Sequence, residues 1–198
     1  GGDEVWGSFA LHGTRFDVAG RIPPVRDGDG AVVFRGRDVD ITLASGTVFM
    51  PGGRTVDARN GLLTTRNAHL RPVIGKLDID VEGTADAVLQ LASYDPIDVG
   101  RFVDLKPEDL SGKVKGKVAA DIPLQGGVPL ESLGWRVALD YEDLDLARPL
   151  QGHAVTDATG SIEVEPDKAV IEARALLSGA QATLRLVEPL GRGTVERR

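Results

Sequence analysis

Residues able to do chemistry are few and scattered in this chain. His12, His69 and His153 lie far apart and show no metal-ligand spacing. Asp27-Gly28-Asp29-Gly30 superficially matches the start of a calcium loop. Such a loop needs Gly at its sixth position and Glu at its twelfth, where this chain has Val32 and Asp38. A tight hairpin turn is the better reading. Carboxylates recur at alternate positions: Asp38 and Asp40; Asp78, Asp80 and Glu82; Glu163 and Glu165. A glycosidase pair is conceivable. These acids alternate with apolar residues, however, which is where solvated charge belongs. Lys113, Lys115 and Lys117 place three ammonium groups on one strand face. They would either attract anionic lipid head groups or serve as solubilising charge opposite the acidic strands. Nucleophile-elbow, zinc-protease, dinucleotide and P-loop signatures are absent, and there is no cysteine. The chain is therefore expected to be no enzyme, with no cofactor and no metal.

The elements that carry these residues read as strands. Period-two alternation runs through Val39, Ile41 and Leu43, and through Leu77, Ile79 and Val81. It recurs in Val114 and Val118, with Gly116 in the apolar register, and in Trp135, Val137, Leu139 and Tyr141. Ile162 and Val164, then Ala169, Ile171, Ala173 and Ala175, then Ala182, Leu184 and Leu186 complete the pattern. Each alternation predicts one wet and one dry face. Turn signals fall at Asp27–Gly30, Pro51-Gly52-Gly53, Asn60-Gly61, Gln125-Gly126-Gly127 and Pro166-Asp167-Lys168. They imply nine or ten strands in antiparallel hairpins. Helix is expected only over 84–94, where Thr84 can cap and Asp95-Pro96 stops it, with a further turn at Pro107–Leu110.

Composition agrees. The chain has 198 residues, 25 of them Gly, with 41% hydrophobic but only 5% aromatic. A net charge of −7 argues against a duplex nucleic-acid partner, and no apolar run is long enough to span a bilayer as a helix. A single helix of three turns cannot cover ten strands. The dry face must be closed by another sheet, closed into a barrel, or left as a groove holding something apolar.

One stretch resembles a known family. Ala120-Asp121-Ile122-Pro123-Leu124 is followed by Val128-Pro129-Leu130 and Gly134-Trp135-Arg136-Val137. Then come Leu144 to Leu150, Asp157 to Val164, Ala173 to Gly179 and Ala182 to Leu186. This order resembles the AsmA-like superfamily, in particular the central region of YhdP-type proteins. The likeness runs from about Gly13 to Leu190, and the first half, Asp38 to Pro96, looks like preceding units of the same region. The resemblance implies a repeating β-groove, similar to bridge-like lipid transfer proteins. It also implies a periplasmic location, in a full-length protein anchored in the inner membrane of a Gram-negative cell. Residues 1–198 would be a segment of such a domain, excised from a larger envelope protein that holds the membrane anchor elsewhere.

The expected fold is thus all-β: a single long curved antiparallel sheet forming an open apolar groove, with one or two short helices. The expected groove lining comprises Ile41, Leu43, Leu77, Ile79, Val81, Val114 and Val118 from the first strands. Trp135, Val137, Leu139, Ile162, Val164, Ile171, Leu184 and Leu186 extend it. The implied role is non-enzymatic phospholipid transport between inner and outer membranes and outer-membrane homeostasis, with acyl chains as the partner. The alternatives are a closed β-sandwich that binds a protein or glycan of the envelope, and a structural spacer. Scarce aromatics disfavour a glycan site, since only Trp6 and Trp135 are available and Trp135 lies in the dry register.

Overall fold

The computed structural model describes residues 4–18, 20–101 and 103–189. Ten strands form one antiparallel sheet in which every strand lies beside its sequence neighbours. They are β1 (Trp6–Phe16), β2 (Val25–Arg35), β3 (Asp38–Phe49), β4 (Thr55–Thr65) and β5 (Ile74–Thr84). After the helix α1 (Ala85–Ala92) follow β6 (Leu110–Pro123), β7 (Trp135–Leu146), β8 (Val155–Glu165), β9 (Lys168–Leu177) and β10 (Ala180–Pro189). Strands β1 and β10 do not pair, so the sheet is open, and no second sheet faces it among the described residues. The expected all-β fold with a single open sheet is what the chain adopts.

Register keeps one face apolar from strand to strand. Ile41 lies opposite Leu63, Leu63 opposite Leu77, and Leu77 opposite Ala120. Farther along, Ile79 faces Val118, Val118 faces Val137, and Val137 faces Val164. The other face is charged. Lysine strand β6 lies between two acidic strands, with Lys117 opposite Asp80 on β5 and Lys115 opposite Asp140 on β7. The ammonium of Lys117 sits 3.3 Å from Asp80, and Arg136 donates to Glu163 at 3.0 Å. These exposed pairs add little stability and keep that face wet.

Two expected turns are instead bulges inside strands. Asp27-Gly28-Asp29-Gly30 lies within β2, and Asn60-Gly61 lies within β4. Asp27 and Asn60 take positive φ (53° and 52°), as do Gly13 in β1, Asp143 in β7 and Asp157 in β8. An αL residue is what a hairpin needs, and a bulge needs it equally. Local sequence does not separate the two; the strand pairing does. A bulge frees an amide from the ladder, and acidic side chains take up two of these. Asp29 accepts from the Gly13 N–H at 3.1 Å, and Asp145 from the Asp157 N–H at 2.8 Å. At the β4 bulge, the Asn60 side chain donates to Asp80 at 3.0 Å.

The bulges also disclose a repeat. Gly13 and Asp143, and Asp27 and Asp157, are both separated by 130 positions. The same offset maps β1–β3 onto β7–β9. Leu11 opposite Gly30 becomes Tyr141 opposite Gly160, and Val32 opposite Ile41 becomes Ile162 opposite Ile171. A Cβ on Gly30 would overlap the carbonyl oxygen of Thr42, and one on Gly160 would overlap that of Glu172, which again differ by 130. Both carbonyls tip onto the apolar face where only hydrogen leaves room. Over Gly160 lies Tyr141, whose hydroxyl donates to Glu172 O at 2.8 Å, crossing β8 to reach β9.

Helix α1 closes one end. Thr84 occupies its N-cap position, as expected, and Ser93 its C-cap. Ala85, Ala87 and Val88 are buried against Val48, Met50, Val56, Ala58 and Val114. Its outer side is tied to the β3–β4 turn. Arg54 donates to Asp86 at 2.9 Å and to Gln90 at 3.2 Å, and Gln90 donates to Pro51 O at 3.0 Å. The expected short turn is present at Pro107–Asp109.

The glycine contacts carry a test. Gly160→Ala is expected to destabilise the fold by about 1–3 kcal/mol, because the methyl group must displace backbone. Gly126→Ala, where a Cβ meets nothing within 4 Å, should stay within about 0.5 kcal/mol. Urea denaturation of both variants measures the difference.

Candidate functional site

The apolar face runs from strand to strand across the sheet. It divides along the strand direction. Its lower half, toward α1, is packed: Val25, Val48, Val56, Val114, Tyr141, Val155 and Ala158 are buried in one cluster with the helix. Burial holds the Tyr141 phenol above its ordinary pKa. The upper half is only partly covered. There the β6–β7 loop folds back, so that Leu133 is buried with Ile122, while Val128 and Leu130 pack against them. That loop is pinned by the Asp121 carboxylate, which accepts from the Gly134 N–H at 2.8 Å and pairs with Lys76.

All fifteen expected lining residues lie on strands of this sheet, in the alternation described above. Leu43, Val114, Val137 and Val164 are buried. Ile41, Leu77, Ile79, Val81, Val118, Trp135, Leu139, Ile162 and Ile171 are half-buried, and Leu184 and Leu186 on β10 are exposed. A sandwich core would bury all of these; here most retain solvent contact. Trp135 packs against Val164 and Ala169 and offers no exposed platform. Sequence reasoning missed four contributors: Leu63, opposite Ile41 and Leu77, and Gly61, Phe16 and Val18. Gly61 is needed because a Cβ would meet Leu43 at 2.9 Å and Ile79 at 3.3 Å. Phe16 and Val18 wall a cleft of about 70 Å³ with Val25, Leu43, Leu63 and Ile79. Phe16 stands opposite Val25, the pairing that would have marked it.

The wet face holds roomier hollows, of about 570 and 660 Å³. They lie between long side chains of both signs, including Arg59, Lys115 and Lys117 against Asp57, Asp80 and Asp140. Asp80 is held below the usual carboxylate range, first by the Asn60 hydrogen bond and then by Lys117. Among the described residues no three His, Asp or Glu side chains converge as a cation site requires. The three histidines stay apart. His12 lies 3.7 Å from Asp29, His69 lies 3.1 Å from Arg37, and His153 lies 3.5 Å from Ser178. No helix among the described residues is long and apolar enough to cross a membrane.

Asp109 fastens the closed end. Its carboxylate accepts from Arg148 at 2.7 Å and from the Lys106 N–H at 3.1 Å, and its carbonyl accepts from the Ala147 N–H at 2.7 Å. Arg148 above all, then the Lys106 amide, holds this carboxyl below its ordinary range. A depressed pKa adds stability above the unfolded value of about 3.9, lost as pH falls through the folded value. Asp109→Asn should therefore be less stable than the parent at neutral pH, with the gap shrinking below about pH 4. Thermal melts of both proteins across pH test this.

Comparison of the chain with protein-family models, with curated proteins and with solved structures gives no match.

Proposed function

We propose that the apolar face is the floor of a trough that carries acyl chains, and that the chain is a segment of a lipid-conducting protein. The observation that carries this reading is the half-exposed band of aliphatic side chains: Ile41, Leu77, Ile79, Val118, Ile162 and Ile171 share one face, with no sheet opposite it among the described residues. Exposed aliphatic surface costs about 25 cal/mol per Å², and a bound alkyl chain would remove that cost. An alkyl chain fits this lining because no polar group interrupts those positions. It would lie along an open trough, not in an enclosed pocket. The free cleft of about 70 Å³ is well below the ~300 Å³ of a small-molecule site.

Nine inter-strand spacings at ~4.8 Å give a sheet roughly 43 Å wide. This is a useful length of conduit. Leaving a bilayer costs a lipid about 0.8 kcal/mol per CH₂, and an apolar trough offsets most of that without any reacting group. The proposal extends to the implied setting: the periplasm, a membrane anchor in another part of the full-length protein, and phospholipid passage between inner and outer membranes.

Ile171→Asp tests the reading. A carboxylate on the floor has no partner and draws water across the apolar path. Lipid co-purifying from bacterial cells, counted by mass spectrometry, should fall at least tenfold for Ile171→Asp and for the milder Val118→Ser. Glu172→Lys, on the wet face, should leave it unchanged. Cooperative melting of each variant checks the fold. Equal lipid occupancy in well-folded floor variants would contradict the conduit and favour a protein-binding module.

A further inference from the structure

The strand ends above the open half of the floor are rich in cations. Arg35, Arg37, Arg66, Arg71 and Lys76 stand at the upper ends of β2–β5, in a chain whose net charge is −7. Arg66 pairs with Asp40 at 2.6 Å and with Asp38, and Lys76 pairs with Asp121. Among the described residues no carboxylate pairs with Arg35, Arg37 or Arg71. Glu4 lies beside the β2–β3 turn at Gly36 and pairs with none of them. All three arginines are exposed.

Two of these arginines are held in place. The β2–β3 turn and the β4–β5 loop are joined by the Ala68 N–H, which donates to Arg37 O at 2.8 Å, and by the Asn67 N–H, which donates to Asp38 at 3.0 Å. Across this junction Arg37 donates one Nη to His69 Nε2 at 3.1 Å, and Arg71 donates one Nη to Ala68 O at 3.2 Å. A guanidinium has five N–H donors in a rigid fork, so each keeps donors for a further acceptor. An anchored fork loses less rotamer entropy when it binds than a loose side chain does. The lysines of β6 differ in this respect. Lys115 lies opposite both Glu82 and Asp140, and Lys113 opposite Glu142, so an anion arriving there meets carboxylates.

We infer that Arg37 and Arg71 bind the phosphate of a phospholipid headgroup at this rim, with the acyl chains running down the strands toward α1. Guanidinium forks match phosphate oxygens in geometry and charge. The depth below the rim fits. From Arg37 to Leu43 is six residues, or about 20 Å of strand. One leaflet of a bilayer holds about 15 Å of acyl chain, half of its ~30 Å hydrocarbon core, which leaves room for glycerol. Ile41, Leu63 and Leu77 line that path and are half-buried, and beyond Leu43 the floor is filled by Val25, Val48 and Val56. His69 is a positioning residue that orients Arg37. The choice of a lipid over a free anion rests on the acyl-chain reading of the floor; the placing of the arginines does not.

An NMR titration that follows arginine Nε–H signals and isoleucine methyls tests it. The probes are dihexanoyl phosphatidylglycerol below its micelle concentration, inorganic phosphate, and dihexanoylglycerol, which lacks phosphate. The phospholipid should shift the Nε–H signals of Arg37 and Arg71 together with the Ile41 methyls, and bind at least tenfold more tightly than inorganic phosphate. The double variant Arg37→Gln/Arg71→Gln should weaken phospholipid binding about tenfold or more and leave dihexanoylglycerol binding unchanged. Lys113→Gln should change neither. Both arginines are exposed, so cooperative melting of the double variant should match the parent, and the parent's own shifts decide the question if it does not. Methyl shifts without arginine shifts overturn the rim site and leave the trough standing. Arginine shifts at equal affinity for phosphate and phospholipid, with the methyls unmoved, mark a free-anion site and overturn the headgroup assignment. No shift with any probe overturns both.

Discussion

Side chains alternate across a β-strand, so one extra residue turns everything beyond it to the other face. This chain contains such extra residues in several strands and still keeps one apolar surface. It does so because the shifts occur near one level of the sheet. In β4 the dry positions run Val56, Ala58, then Gly61 and Leu63, and the change falls at Asn60. In β3 they run Leu43, then Gly46 and Val48, so the partner strand changes face at the same level and the β3–β4 pairing continues without a shift. In β7 and β8 the changes fall at Asp143 and Asp157. The bulges bend the sheet where α1 packs, and increased local twist follows from them. Helix, curvature and closed end are consequences of where the extra residues stand.

The glycines complete this arrangement. Curling a sheet brings backbone carbonyls toward the inner face, and at Gly30 and Gly160 the neighbouring carbonyl occupies the place of a side chain. Tyr141 then covers the second of these and satisfies the carbonyl with its hydroxyl. Covering a strand glycine with an aromatic ring restores part of the packing that glycine forgoes. Above the bulges the strands run without such aids, and the floor there stays half open. The division into a packed lower half and an open upper half follows from the position of the bulges and of α1.

Much of this architecture was legible in the residues. Alternation assigned Ile79, Val137, Ile162, Ile171 and Leu184 to one face, and strand pairing places them there together. Glu172 and Arg185, which alternate with those residues, fall on the other face and form an ion pair at 3.1 Å. Thr84 and Asp95-Pro96 bounded the helix to within two residues. The bulges were not legible as bulges, since Asp-Gly and Asn-Gly signal an αL backbone without saying whether the chain reverses. Comparing Val25-Arg26-Asp27-Gly28-Asp29-Gly30 with Val155-Thr156-Asp157-Ala158-Thr159-Gly160 would have shown the repeat and argued for strand at both. The covering by Leu130 and Leu133 was illegible for another reason: a loop carries no period to read.

The account depends most on the claim that acyl chains contact the aliphatic face and nothing else. Nuclear Overhauser effects between the methylene protons of a short-chain phospholipid and methyl-labelled protein test it directly. The account predicts contacts to the methyls of Ile79, Val118, Ile162 and Ile171, and none to Ala138 or Thr159 on the wet face. Contacts spread over both faces, or none at all under saturating lipid, would contradict it.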